Sequence, residues 1–391
     1  MRSEMMQATA GVEHACRYIY IAGPWGPKGG GMYKVADYLI QAQAAQTPVG
    51  AAQLRHLDTR GGAGPVYSLW VLAIALVRLL QGRVSGQLAG VHVNVAERLS
   101  LLRKGAVIAM CRVLGVPAVL HLHAAQLHHF YAALPGPLQA MVRWMFSLPS
   151  GCVVLGSAAQ QFVTRELRVP ADRVTVVFNG VPEPTEVRRA TAAEAVRRVL
   201  FVGNLSERKG VSDLLRALAL PGFDRDRVEV TLAGGGDVQA YRTMAQELGI
   251  GEFVRFEGWV DQRQVARLMA SADVLVLPSY DEGLPLVILE AMANGVAVVC
   301  SPVGEIPAVL TDGIDALFVR PGDVSGLAAA LQRVLQHDEL MEELGRTGRS
   351  LYERQFSASR FFDSIARTHM RHFGVAAEPQ SNGDDAAGNV S

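Results

Sequence analysis

Short, almost wholly apolar runs alternate along this chain with stretches whose apolar residues recur at helical spacing. RYIYIAG (17–23), GVHVNV (90–95), PAVLHLH (117–123), GCVVLG (151–156) and VTVVFNG (174–180) make a first set. RVLFVG (198–203), VEVTLAGGG (228–236), FVRFEGWV (253–260), DVLVLPS (273–279) and VAVVCS (296–301) make a second. Runs that are apolar on both faces belong in parallel sheets covered by helices on both sides, and the β-α alternation predicts an α/β chain. The rhythm breaks at 181–198, VPEPTEVRRATAAEAVRR, rich in Pro, Glu, Arg and Ala. We therefore expect two doubly wound, Rossmann-like domains, 17–180 and 199–356, joined by that linker and facing one another across a cleft. Residues 1–16 lack periodicity and read as a tail, and the small polar residues of 375–391 predict disorder. Ligands of doubly wound sheets sit beyond the carboxyl ends of the strands, so each strand-to-helix turn is a candidate site.

Length agrees: 391 residues suit about two domains. Lys+Arg and Asp+Glu both number 37, so no global basic field attracts nucleic acid, although a local patch can hide inside that zero. Cys16, Cys111, Cys152 and Cys300 are scattered, without metal-like spacing, which suits a reducing cytoplasm. The first ten residues hold no apolar core of a secretory signal. The greasiest stretch, LWVLAIALVRLL (69–80), is too short to span a bilayer and is broken by Arg78; a buried helix is expected, with a helix lying on a membrane as the alternative.

The sharpest chemical signal is YDEGLPLVILEAMANG (280–295). Glu282 and Glu290 would stand about 12 Å apart along one continuous helix, but Gly283 and Pro285 put Glu282 in a loop, with Pro285 suited to a first helical turn. The helix then runs over about 286–294 and stops at Gly295. A helix N-terminus with free N–H groups attracts phosphate, and carboxylates on either side of it can accept hydrogen bonds from sugar hydroxyls; the plain alternative is two helix-start acids. Arg208-Lys209-Gly210 precedes another helix, after the first strand of the second domain, and puts two cations at a strand-to-helix turn. The Gly-rich turn GPWGPKGGGMYKVADYLI (23–40) matches neither G-x-G-x-x-G nor a P-loop, so a dinucleotide or ATP reading is poorly supported. His121 and His123 share a strand face, but no carboxylate or Cys lies near in sequence to complete a metal set. Asp224-Arg225-Asp226 spells D-x-D in what reads as a solvated turn. Arg103-Lys104 starts a helix beyond a first-domain strand and hints weakly at an anionic acceptor.

Together these segments, over about 17–373, resemble a retaining glycosyltransferase of the GT-B fold, family 4. FVGNLSERKGVSDLLRAL (201–218), LAGGGD (232–237), VRFEGWV (254–260) and CSPVGEIPAVL (300–310) follow that family's pattern in the right order. The resemblance implies a C-terminal helix, 357–374, crossing back to the first domain. It implies that Glu282 contacts the transferred sugar, Glu290 the nucleotide ribose, and Arg208 and Lys209 the diphosphate, helped by N–H groups around Gly283, Leu284 and Leu286. Asn204 stands where the family's diphosphate-binding Arg is usual, and Tyr33 where many members have Glu. Gly30-Gly31 corresponds to a loop near donor phosphate and acceptor, and His123 to a residue that faces the sugar. The implied activity is metal-independent transfer of a hexose from GDP-mannose or a UDP-hexose, with no cofactor. The implied acceptor is a glycan or polyprenyl-diphosphate-linked glycan of bacterial surface-polysaccharide synthesis. The enzyme would be cytoplasmic, with possible contact at the inner face of the membrane. A GT-B-fold epimerase or phosphorylase, a non-catalytic sugar-nucleotide-binding protein and a nicotinamide dehydrogenase are the competing readings.

Overall fold

The computed structural model describes residues 17–26, 30–46, 52–62, 64–96, 98–124, 126–186 and 196–375. The expected tails, residues 187–195 of the linker, Cys16, and residues 27–29 of the Gly-rich turn lie outside the described residues.

The first half is built from β1 (Tyr18–Gly23), α1 (Gly30–Gln46), β2 (Gln53–Asp58), α2 (Pro65–Val84), β3 (Leu88–Val95), α3 (Leu99–Leu114) and β4 (Ala118–Leu122). It continues with α4 (Leu127–Ala132), α5 (Gly136–Ser147), β5 (Gly151–Val154), α6 (Ser157–Arg165) and β6 (Val174–Val176). Its strands form one parallel sheet in the order β2-β1-β3-β4-β5-β6. The second half comprises β7 (Arg197–Val202), α7 (Val211–Ala219), β8 (Val228–Ala233), α8 (Val238–Glu247), β9 (Val254–Gly258), α9 (Gln262–Ser271), β10 (Val274–Leu277) and α10 (Leu286–Ala293). After these come β11 (Ala297–Cys300), α11 (Ile306–Val309), β12 (Leu317–Phe318), α12 (Val324–Gln336), α13 (Asp338–Leu351) and α14 (Ala358–Phe373). The second sheet is parallel too, ordered β12-β11-β10-β7-β8-β9. Its strand order reverses between β7 and β10, and the loops leaving a switch point of this kind flank the crevice where such folds bind ligands.

Each sheet has one strand beyond the five expected. QLRHLD of β2 lies on the sheet edge and buries only Leu54 and Leu57, so it lacks the continuous apolar run that marks the central strands. β12 is only two residues long. The first sheet is covered on one side by α2, α3, α5 and α6 and on the other by α1 and α14, whose Phe361, Phe362 and Phe373 pack with Ile19 and Val119. The C-terminal helix therefore does return to the first domain. It leaves the second domain through a single π turn, Tyr352–Phe356, and Ser357 bridges to Val181, so the chain's two passages between domains run side by side.

Two expectations change. The apolar stretch at 69–80 is part of α2 but is not a buried helix: Leu69, Trp70, Val77 and Leu80 are exposed. Val66–Val84 is, by length and composition, long and apolar enough to cross a membrane, where the sequence run alone looked too short. Lys104, read in sequence as one of a solvated pair or a hint of an anionic acceptor, is only 2% exposed and donates to Thr59 Oγ1. Burial, and behind it the charge of Arg103, pushes the Lys104 amine down to about 7 against the opposing pull of Asp58. In the unfolded chain the amine titrates near pH ~10.4. Between those values the unfolded chain binds a proton that the folded one does not, so stability rises with pH across that window. Lys104→Met should flatten the slope of urea-unfolding free energy between neutral pH and pH ~10; a slope equal to that of the parent contradicts a buried amine.

Candidate active site

The loops leaving β7 and β10 touch through their backbones. A short 3-10 turn, Glu207–Lys209, ends at Gly210, whose φ of 69° lies in the left-handed region that glycine tolerates best. A Cβ there would run into the Pro278 carbonyl. The Tyr280 N–H donates to the Arg208 carbonyl at 2.8 Å, and Arg208 Nη1 donates to the Asp281 carbonyl at 2.7 Å. Those bonds put Lys209 against Glu282: its Nζ donates to Glu282 Oε1, which also accepts from Ser279 Oγ at 2.8 Å. Both partners are largely buried, so the ion pair sits where water screens it weakly. On the far side of the loop, Gly304, at φ 60°, allows the 303–305 backbone to close over Glu282 and Gly283; a Cβ would strike the Glu282 carbonyl.

Immediately beyond, α10 begins at Leu286 with Pro285 as its N-cap residue and no side-chain cap. Its first N–H groups thus form the positive end of a helix beside the ion pair. The helix stops at Ala293, one residue short of expectation, and the Leu284 and Leu286 side chains pack into core, Leu286 against both domains.

Glu290 is held from the first domain. Its Oε1 accepts from Lys34 Nζ at 3.0 Å and Tyr38 Oη at 2.9 Å, both on α1 of the first domain, and Gln262 Nε2 donates to the same Tyr38 oxygen at 3.0 Å. Its Oε2 is buried and has no protein partner among the described residues. Gly30, at φ 64°, and Gly31 begin α1 opposite α10, with Leu286 Cδ1 4.0 Å from where a Gly31 Cβ would stand. A second carboxylate also spans the domains: Glu305 Oε1 accepts from the Ala159 N–H at 3.1 Å in the first turn of α6, and any side chain at Gly156 would meet it.

A cavity of about 680 Å³ opens between the domains, lined by His123, His128, Phe162 and Arg165 on one side and by Tyr280, Glu282, Gly283 and Glu305 on the other. His123 Nε2 donates to Asn94 Oδ1 at 3.0 Å. Burial, then the charge of His92, pushes its pKa down to about 3, so at neutral pH the ring is uncharged and interacts through hydrogen bonds. His121 is bonded to His92 at 3.0 Å, and His92 to His369 of α14 at 2.9 Å. Among the described residues no three His, Cys, Asp or Glu side chains converge as a metal set. Asp224 and Asp226 lie in an exposed turn. Asn204 is exposed just past β7, its carbonyl accepting from Ser206 Oγ. The expected residues thus fall into two groups: Glu282 and His123 line the cavity, with Lys209 joined to Glu282, and Gly31, Leu286 and Glu290 meet where α1 faces α10. Lys34, Tyr38, Ser279 and Glu305 escaped the sequence reading. Lys34 and Tyr38 had one signal, an i,i+4 spacing on the helix that follows the Gly-rich turn.

Residues 183–351 match the family model described as glycosyl transferases group 1. An uncharacterized glycosyltransferase of Methanocaldococcus jannaschii is 28% identical over 239 residues, a stretch covering 58% of this chain and 60% of that protein. The match therefore spans less than two thirds of that relative's length. Among solved structures, sucrose-phosphate synthase from Thermosynechococcus elongatus superposes with a TM-score of 0.74 at 19% identity, over 91% of this chain and 98% of that one. Anabaena HepE in complex with UDP and glucose does so with a TM-score of 0.68 at 18% identity, over 90% and 99%. The fold is GT-B.

Since Glu290 links the domains, Lys34→Met should lower unfolding free energy by about 1–2 kcal/mol, between the values for exposed pairs and for buried pairs that lose one partner. Tyr38→Phe should cost about 1 kcal/mol. Both should raise the radius of gyration measured by small-angle X-ray scattering, and an unchanged radius in both would mean that other contacts hold the cleft.

Proposed function

We propose that the protein is a retaining, metal-independent glycosyltransferase. It moves a hexose from GDP-mannose or a UDP-hexose to a glycan or lipid-linked glycan of bacterial surface-polysaccharide synthesis. The observation that carries this reading is the uncapped N-terminus of α10, set between Glu282 and Glu290, with Lys209 joined to Glu282 at the switch point of the second sheet. Free N–H groups and a fixed cation together make a pyrophosphate site, and carboxylates on either side of it suit the hydroxyls at the two ends of a sugar nucleotide. The unpartnered Oε2 of Glu290 fits a ribose hydroxyl, which would satisfy a buried acceptor. A neighbour of the same fold holding UDP and glucose supports the class of donor.

In the reaction, the acceptor oxygen bonds to the anomeric carbon on the face that the diphosphate leaves, through an oxocarbenium-like transition state. The bond from that carbon to the phosphate oxygen breaks, and the acceptor proton passes to the departing phosphate. Lys209 and the α10 N–H groups receive the charge that builds on the leaving group, which is the work a metal ion does in other sites. Arg208 adds a second cation at the loop. Glu282 holds the transferred hexose, and His123, neutral and fixed by Asn94, offers a hydrogen bond from the first domain. Closure of the cleft keeps out the water that would hydrolyse the donor.

Incubation with a panel of sugar nucleotides should release nucleoside diphosphate, and proton NMR of the product should show the donor's anomeric configuration. Lys209→Met and Glu282→Gln should each lower kcat by about 10²–10³-fold, with chelators without effect. Glu290→Gln should weaken nucleotide binding about tenfold by calorimetry while sparing kcat more than the other two. An inverted product, or full turnover in Lys209→Met, overturns the mechanism; no release from any donor favours a binding protein.

A further inference from the structure

The outer layer of the first domain carries a surface that the cleft does not use. α2 is apolar almost all round: Ala75 and Leu79 are core, while Val66, Trp70, Val77 and Val84 make a stripe 53–82% exposed on the opposite side. Only 28% of the Val66–Val84 window is buried. On a soluble domain the outward side of such a helix is ordinarily polar. The neighbouring helices continue the pattern, with Leu102 and Val113 of α3 and Trp144 of α5 all more than half exposed. A contiguous apolar layer of this kind marks an interaction site.

Charge identifies the partner. Residues 59–164 contain seven Arg but a single acid, Glu97, and their one Lys is the buried Lys104. Among the described residues none of those arginines forms an ion pair: Arg83 donates to the Leu114 carbonyl and Arg143 to the Tyr131 hydroxyl. Arg60 and Arg103 lie close enough that Arg60, after burial, helps lower the pKa of Arg103. A second copy presenting the same cationic layer would repel this one, whereas a surface with anionic headgroups over an apolar interior matches both features.

We propose that the α2–α3–α5 layer docks on an anionic lipid bilayer. Trp70 and the apolar stripe of α2 settle at the boundary of headgroups and acyl chains, and the arginines meet lipid phosphates. α2 remains on its sheet through Ala75 and Leu79, so it lies on the membrane rather than crossing it. Because α2 and α3 follow the carboxyl ends of β2 and β3, their N-terminal residues, Tyr67, Trp70, Leu99 and Leu102, lie at the end of the layer toward the cleft. Docking therefore turns the mouth of the cleft toward the bilayer.

The test needs no turnover, so it stands apart from the proposed reaction. Purified full-length chain is sedimented with vesicles of pure phosphatidylcholine or of phosphatidylcholine containing about one third phosphatidylglycerol, at low and high salt. Binding should favour the anionic vesicles by tenfold or more and weaken at high salt. Trp70→Ser/Val77→Ser and, separately, Arg60→Gln/Arg103→Gln should each lose about tenfold, with unchanged far-UV circular dichroism and unchanged nucleotide affinity. The arginine pair keeps the test decisive if the apolar variant fails to fold. Equal binding to both vesicle types, or none to the anionic ones, overturns the proposal. So does a dimer by light scattering that Trp70→Ser dissociates, which would make a second copy the occupant.

Discussion

The arrangement of the two halves depends on carboxylates that reach across the cleft. Only two chain passages join the domains, side by side at Val181 and Ser357, and such a double strap leaves rotation about it free. Glu290 on α10 grips Lys34 and Tyr38 of α1, and Glu305 caps the first turn of α6 through Ala159. Each uses only one oxygen; Oε2 of Glu290 and Oε2 of Glu305 are both buried without a protein partner among the described residues. A buried acceptor left unpaired costs about 1–3 kcal/mol. The closed arrangement is thus held by strong contacts with unspent capacity at both, a state that a hydroxyl-rich ligand is able to reinforce.

The same economy appears at Lys209. A buried ammonium facing a helix N-terminus alone would be repelled by it, and a buried Glu282 alone would be poorly solvated; paired, each makes the other tolerable in a site of low dielectric. Ser279 supplies Glu282 with a second hydrogen bond, and Gly210 and Gly304 permit the close backbone approach that brings the three loops together. The polar groups are therefore fixed by the fold itself, and the proposed transfer would need little reorganisation of them as charge moves.

The fold was legible because the central strands are buried on both faces and announce themselves as apolar runs; β2 was not, since this edge strand mixes polar positions with two buried leucines, and neither was β12, which is too short to have a pattern. The loop-and-helix geometry around Glu282 was readable from Gly283, Pro285 and Gly295, residues whose backbone preferences are local. Partners were unreadable: nothing near Glu290 in sequence points to Lys34 and Tyr38, more than 250 positions away. α2 misled for a related reason. Composition reports that a helix is apolar, but whether its outer side is covered depends on which elements pack there, and α14 goes to the opposite side of the sheet.

A net charge of zero conceals a polarised molecule. Residues 1–165 carry 14 basic and 5 acidic side chains, and residues 166–391 carry 23 and 32. An object with that separation experiences a torque near an anionic surface as well as an attraction, and the torque turns the basic half inward. Within that half, α1 and α14 already occupy one side of the sheet, and α14 arrives there from the acidic half of the chain. The side left for contact is the one bearing α2, α3 and α5, where the apolar stripe coincides with arginines that form no ion pair among the described residues. Long-range steering and short-range burial thus select the same layer.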